Sequence, residues 1–264
     1  MILEEEKLDY FCLIRPLFKS RIWFYLAYTT IVYEYKRTIL GPIWILMSLI
    51  IFVLAVGYVY SGIFDIKYFE YLAYMASGMI GWIWAGSILT NSGLIYQNHL
   101  GLISSSPVNK SYLIWSQAIY NFFVFIHQIP LILCFYLFNK IEINFNLLFL
   151  IPSLILVFIL NIGVGAALSV IINRYRDIQK ILTSFTIVIM VTTPIFWMPS
   201  MMSGVREYVY LLNPFYYIVE VIRKPMLGQF DLKIFTILFI LSILSLIIGT
   251  YFHVRYSKSV IFRL

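Results

Sequence analysis

The chain has 264 residues, of which 62% are hydrophobic and 12% charged, and its formal net charge is +7. A soluble globular chain is roughly 45–50% apolar and about a quarter charged, so this composition requires lipid as a solvent and excludes an ordinary water-soluble domain. The basic balance fits loops that face anionic lipid rather than nucleic acid, and the two cysteines, Cys12 and Cys134, form neither a disulfide framework nor a metal-ligand pattern.

Residues 1–39 are mixed in character. Within them, 22–33 is an uncharged aromatic run between Arg21 and Glu34, too short to span a bilayer. On a helix, Trp23, Leu26, Ala27, Thr30 and Ile31 share one face, while Arg21, Tyr25, Tyr28 and Lys36 lie mainly on another. The pattern predicts an amphipathic helix in the membrane surface, with a cytoplasmic packing helix as the alternative.

Six charge-free stretches follow, at 38–64, 71–109, 111–139, 143–173, 181–205 and 234–254. Each supplies the roughly 20 apolar residues that cross a hydrocarbon core, and none alternates as a barrel strand does. The predicted spans are 40–60, 71–96, 111–138, 147–172, 181–197 and 234–252. The expected fold is therefore an all-α integral membrane protein, one domain over 1–264. Its parts are an interfacial N-terminal region (1–39), a six-span core (40–252) and a basic tail (253–264). Lys and Arg number 13 on the side of the termini and 6 on the other, which puts both termini in the cytoplasm.

Chemistry along the spans is sparse. His127, beside Gln128, is the one ionisable side chain within them, fit for a relay or for a hydrogen bond between helices. No GxxxxGK[ST] phosphate loop and no HExxH occurs, so no catalytic or metal residue is assigned. After span four, Arg174-Tyr175-Arg176-Asp177 is either a topology anchor or a coupling surface. After span five, 198–233 carries Pro, Tyr and Met and reads as two short helices dipping into the outer leaflet, or as an ordinary amphipathic loop. Trp82, Trp84, Phe196, Trp197, Phe215 and Tyr216 fit either interface belts or an aromatic path that contacts sugar faces.

The order of these features resembles the permease subunits of ABC exporters for cell-surface polysaccharide, the Wzm type that handles O-antigen, related to capsule and teichoic-acid exporters. Four stretches carry the resemblance. They are Tyr35-Lys36-Arg37-Thr38-Ile39-Leu40-Gly41-Pro42-Ile43-Trp44, Arg174-Tyr175-Arg176-Asp177-Ile178, Thr193-Pro194-Ile195-Phe196-Trp197, and Leu212-Asn213-Pro214-Phe215 with Arg223 and Pro225. Glu4-Glu5-Glu6 belongs to no such pattern.

The resemblance implies a homodimer in the bacterial cytoplasmic (inner) membrane, joined to two copies of a separate ATPase that binds ATP and Mg. No cofactor resides in this chain. Coupling to the ATPase falls to the N-terminal helix and the loop 97–110, here Glu34, Lys36, Arg37, Asn98 and His99, with Arg174, Arg176 and Asp177 alongside. The external gate is 199–227, including Pro214, and the substrate is a polyprenyl-pyrophosphate-linked glycan. Rival readings are a same-fold exporter of a drug, haem or small lipid, and a polyprenyl-linked glycosyl- or acyltransferase. The latter needs an acidic or histidine cluster at one interface, which the chain lacks.

Overall fold

A computed structural model describes residues 11–105, 108–139 and 144–257. The Glu4-Glu5-Glu6 cluster, Ser106-Pro107 and the tail beyond Ser257 lie outside the described residues. Regular structure among the described residues is all helical. A 3-10 turn, Arg15–Lys19, leads into α1 (Ser20–Tyr35), followed by α2 (Ile43–Phe64) and α3 (Tyr68–Ser92). The turn Gln97–His99 and the short α4 (Leu100–Ser105) precede α5 (Lys110–Asn139), α6 (Leu150–Arg174) and α7 (Asp177–Thr192). After two further 3-10 turns come α8 (Tyr208–Leu211), α9 (Pro214–Met226) and α10 (Leu232–Tyr256).

Five of these helices, α2, α3, α5, α6 and α10, are long and apolar enough to cross a membrane. α7 takes the place of the expected fifth span but has 16 residues, about 24 Å at 1.5 Å per residue. It stops at Thr192 because Pro194 bars Thr193 from the helical region, and Thr193 is extended at φ −85°, ψ 132°. The expected loop 61–70 is shorter than predicted. α2 runs on to Phe64 and ends on Asp65, whose left-handed backbone (φ 52°) returns its N–H to the Ser61 carbonyl. α5 carries through Pro130 without a break.

α1 presents most of the face its pattern predicts, with Trp23 and Leu26 half-buried, though Thr30, expected on that face, is exposed. Ala27 and Ile31 are buried, and Tyr25 and Tyr28 are exposed. It seats on α5 through Trp23 against Trp115 (5.3 Å between ring centroids) and Phe24 edge-on to Phe123 (5.3 Å). α6 and α10 pack backbone to backbone. A Cβ on Gly163 would collide with the Ser245 backbone, and one on Gly249 with the Gly163 carbonyl. Ser242 Oγ crosses the same seam to the Leu156 carbonyl at 3.0 Å. α3 stands at the centre, packed by α2, α5, α6, α7 and α9, with most of its side chains buried.

Both described ends of the chain meet at one end of the bundle. Trp115 Nε1 donates to the Leu13 carbonyl (2.8 Å), while His253 of α10 bonds Tyr96 (3.3 Å) and Ser111 (3.1 Å).

Candidate functional site

The end of the bundle away from the termini is built around non-helical backbone. The carbonyls of Pro194, Phe196 and Trp197 lie outside any helix, and lipid cannot satisfy them. α3 supplies the donors. Tyr71 donates to the Phe196 carbonyl at 2.5 Å, and the Tyr74 hydroxyl reaches the carbonyls of Trp197 (3.0 Å) and Pro194 (3.2 Å). Asn213 then caps α9, accepting from Phe215 N (2.9 Å) and donating to Thr193 Oγ1 (2.8 Å). Pro214 fills the first helical position, where a missing N–H is harmless.

α9 carries a buried ion pair. Glu220 and Arg223 are 4% and 1% exposed, and Arg223 Nη1 donates to the Glu220 carboxylate. The same nitrogen donates to Tyr74 at 2.8 Å, and the guanidinium lies 4.0 Å from the centre of the Tyr74 ring. Gly78 makes the room: a Cβ there would collide with the guanidinium. Just beyond, Lys224 donates to Asp231 at 2.6 Å, and Asp231 caps α10 through the N–H groups of Lys233 and Ile234. The Lys224 bond, aided by these backbone N–H groups, holds the Asp231 carboxyl below its ordinary range.

The aromatic residues expected along a path divide in two. Phe196 lies half-buried against Tyr60 (5.9 Å) and Phe52 (6.2 Å), and Trp197 packs on Tyr210 (5.9 Å) while donating to the Val191 carbonyl. Pro214 and Phe215 border a hollow of about 400 Å³ between α3, α6 and α10. Tyr216 is buried against Tyr210 (5.0 Å). Trp82 and Trp84 are inside the subunit, 6% and 2% exposed. Trp82 packs on Phe215 (5.9 Å), and Trp84 on Phe122 and Phe125 (5.7 and 4.9 Å). Their neighbours are other helices of the same chain, so they face core rather than an open surface.

At the termini-bearing end, α1, the end of α3, α4 and α5 line an open cavity of about 760 Å³. It gathers Glu34, Asn98 and His99, three of the residues expected to meet an ATPase. Tyr120 of α5 donates to Glu34 at 2.7 Å and so locks α1 across the cavity, and His99 Nδ1 bonds the Ile95 carbonyl at 2.9 Å. Lys36 and Arg37 are exposed at the end of α1, with the Lys36 ammonium 5.4 Å from the centre of the Tyr33 ring.

Arg174, Arg176 and Asp177 are not at the cavity wall. They lie exposed on the α6–α7 connection, Arg174 over the Tyr175 ring (5.3 Å) and Asp177 in the first turn of α7, where a negative charge suits the helix dipole. That connection is nevertheless tied to the cavity region, because Gln179 donates to the Thr90 carbonyl at 2.9 Å, one residue before the lining Asn91.

Several residues here have no counterpart among the sequence expectations. At the far end they are Tyr71, Tyr74, Gly78 and Glu220. At the cavity they are Asn91, Gln117, Tyr120 and Asn121. Two charges three apart, inside the apolar run that ends α9, are the one signal in the sequence that marks the first group. His127, the ionisable residue of the spans, turns back on its own helix and bonds the Phe123 carbonyl at 2.7 Å.

An all-helical bundle with five helices long and apolar enough to cross a bilayer defines a multi-pass membrane protein. Residues 22–227 match the model of the ABC-2 type transporter family, and the chain belongs to that family. It is thus a membrane subunit of an ABC transporter, a transport component whose family works with a partner ATPase. Among curated proteins it is similar to two O-antigen export system permease proteins, both named RfbA, of Klebsiella pneumoniae. Each is 19% identical over 218 residues, covering 82% of this chain and 84% of the relative.

Proposed function

We propose that the chain is the permease of an ATP-driven exporter that moves a lipid-linked cell-surface glycan, O-antigen-like, out across the bacterial cytoplasmic membrane. The observation that carries this reading is the family match together with the O-antigen permeases that align over four fifths of the chain. The chain works as a homodimer with two copies of an ATPase that binds ATP and Mg. It has no phosphate loop of its own.

The termini-bearing end faces the cytoplasm. There Glu34, Lys36, Arg37, Asn98 and His99 of α1 and the 97–110 segment receive the ATPase, with Arg174, Arg176 and Asp177 beside them. Tyr120 and Gln179 join these elements to α5 and α3, so that a push on α1 or on the α6–α7 connection reaches the bundle. The opposite end is the external gate, formed by 199–227 with Pro214, Phe215 and Tyr216, and with Phe196 and Trp197 just before it. α7 supports the dimer reading, since none of its residues is buried within the subunit.

The test is recovery and loss. The tagged chain, purified from native membranes, brings down an ATPase subunit, and the pair hydrolyses ATP while the chain alone does not. Deleting its gene removes a surface glycan, which reappears on complementation. Hydrolysis by the pure chain, or an unchanged surface glycan profile in the deletion strain, sinks the reading.

A further inference from the structure

α10 runs from one end of the bundle to the other. Its 25 residues, Leu232–Tyr256, contain no proline and extend over about 38 Å at 1.5 Å per residue. Each end of this helix is fastened by polar side chains to a different part of the protein.

The inner fastening is His253, 3% exposed. Its Nδ1 bonds the Tyr96 hydroxyl at 3.3 Å and its Nε2 the Ser111 hydroxyl at 3.1 Å. A neutral imidazole has one donor and one acceptor, and a hydroxyl serves as either, so both bonds are satisfied in either tautomer. Tyr96 and Ser111 stand immediately before and after the segment 97–110, so one side chain holds both ends of that segment. Lys110 adds a bond to the carbonyl of Ser257, the residue that caps α10. The outer fastening is Asp231, which caps the other end of α10 and accepts from the Lys224 ammonium of α9 at 2.6 Å. Between the two, α10 lies against the α6 backbone at Gly163 and Gly249. Apolar packing is non-directional, whereas hydrogen bonds to fixed partners set direction and register.

We infer that α10 is the rod that carries movement of the 97–110 segment to the external gate, with His253 as its inner joint and the Lys224–Asp231 pair as its outer one. The inference rests on the export reading above, which puts the ATPase on that segment and the gate at 199–227. His253, Tyr96 and Ser111 are positioning residues that act through the helices they join.

The full complex with its ATPase, in lipid nanodiscs and in a Cys12→Ser, Cys134→Ser background, tests this with a fluorophore on one introduced cysteine. The sites are Ser104→Cys, exposed on α4, and Tyr251→Cys, exposed on α10. The probe is a non-hydrolysable ATP analogue, which changes the emission of both labels. With His253→Leu the α4 response persists and the α10 response falls about tenfold. Tyr96→Phe combined with Ser111→Ala gives the same split, and it replaces His253→Leu if melting curves show that variant misfolded. Lys224→Met keeps both responses, and in cells it lowers surface glycan about tenfold at an unchanged amount of complex.

An α10 response that survives His253→Leu, or that is lost together with the α4 response, overturns the inference. So does a parent complex in which α4 responds and α10 does not, and so does a parental amount of surface glycan with Lys224→Met. Silence of both labels in the parent complex is a different result: it sinks the export reading, and the inference falls with it.

Discussion

Glu220 and Arg223 are opposite charges buried inside the subunit. Glu220 is bonded by Arg223, and Arg223 by Glu220 and Tyr74, so removing one leaves its partner stranded, at a penalty of about 3–5 kcal/mol. Glu220→Gln and Arg223→Met each lower the thermal stability of the purified protein by that order. The double variant Glu220→Leu with Arg223→Met recovers much of the loss, because two apolar side chains of similar size replace a neutralised pair. Melting curves of the three variants decide the matter, and single variants as stable as the parent refute it. This pair was poorly legible in the sequence. The spacing of three between Glu220 and Arg223 hints at a pair on one helix face, but nothing local says that the pair is buried, or that the ring under Arg223 is 149 residues earlier in the chain. Tyr71 and Tyr74 escaped notice for the same reason: their acceptors are carbonyls 125 and 123 residues away. Trp82 and Trp84 show the converse limit. Aromatic residues at membrane depth are visible in a sequence, but the side of the helix that meets other helices is not.

Elements were far easier to read. A charge-free run must become a helix in lipid, where each backbone group needs an internal partner, and the predicted spans coincide with observed helices to within a few residues. The inward face of α1 was also legible, since Ala27 and Ile31 stand four apart and bury together. The end of α7 was misjudged by five residues because apolar character continues through Trp197 while helical geometry does not, and Pro194 decides between them. Close approach of α6 and α10 depends on Gly163 and Gly249, which composition alone does not single out. Gly163→Val forces the two backbones apart and destabilises the protein by about 1–3 kcal/mol. Gly86→Ala, whose added methyl meets the Trp82 ring at an ordinary 3.5 Å, changes stability by less than about 0.5 kcal/mol. Unfolding of both variants in the same detergent gives the comparison, and equal effects remove the claim that the α6–α10 seam is special.

For the whole molecule, the subunit alone leaves much apolar surface uncovered. On α7, Phe185, Ile187, Val188 and Val191 are between 56% and 64% exposed, on a helix shorter than a bilayer is thick. α10 is apolar as well, with Ile247 61% exposed, but it is long enough to meet lipid along its length. The dimer reading therefore assigns α7, not α10, to the subunit contact. Single cysteines at Val188 or Val191, in a background carrying Cys12→Ser and Cys134→Ser, crosslink into covalent dimers in native membranes. One at Ile247 does not. The reverse pattern, or equal yields at all three, excludes α7 as the contact.

α3, packed on nearly every side, has a consequence for how the protein is made. Four of the helices that cover it, α5, α6, α7 and α9, come later in the chain. When α3 leaves the ribosome, only α2 of its final neighbours has been synthesised. Its small and polar face, with Ser77, Gly78 and Gly81, then meets lipid or the insertion channel instead of Arg223 and Val219. A helix so dependent on later arrivals stays in place through its hydrophobicity and its pairing with α2 until the rest of the chain follows. Biogenesis and final packing thus place their demands on the same 25 residues.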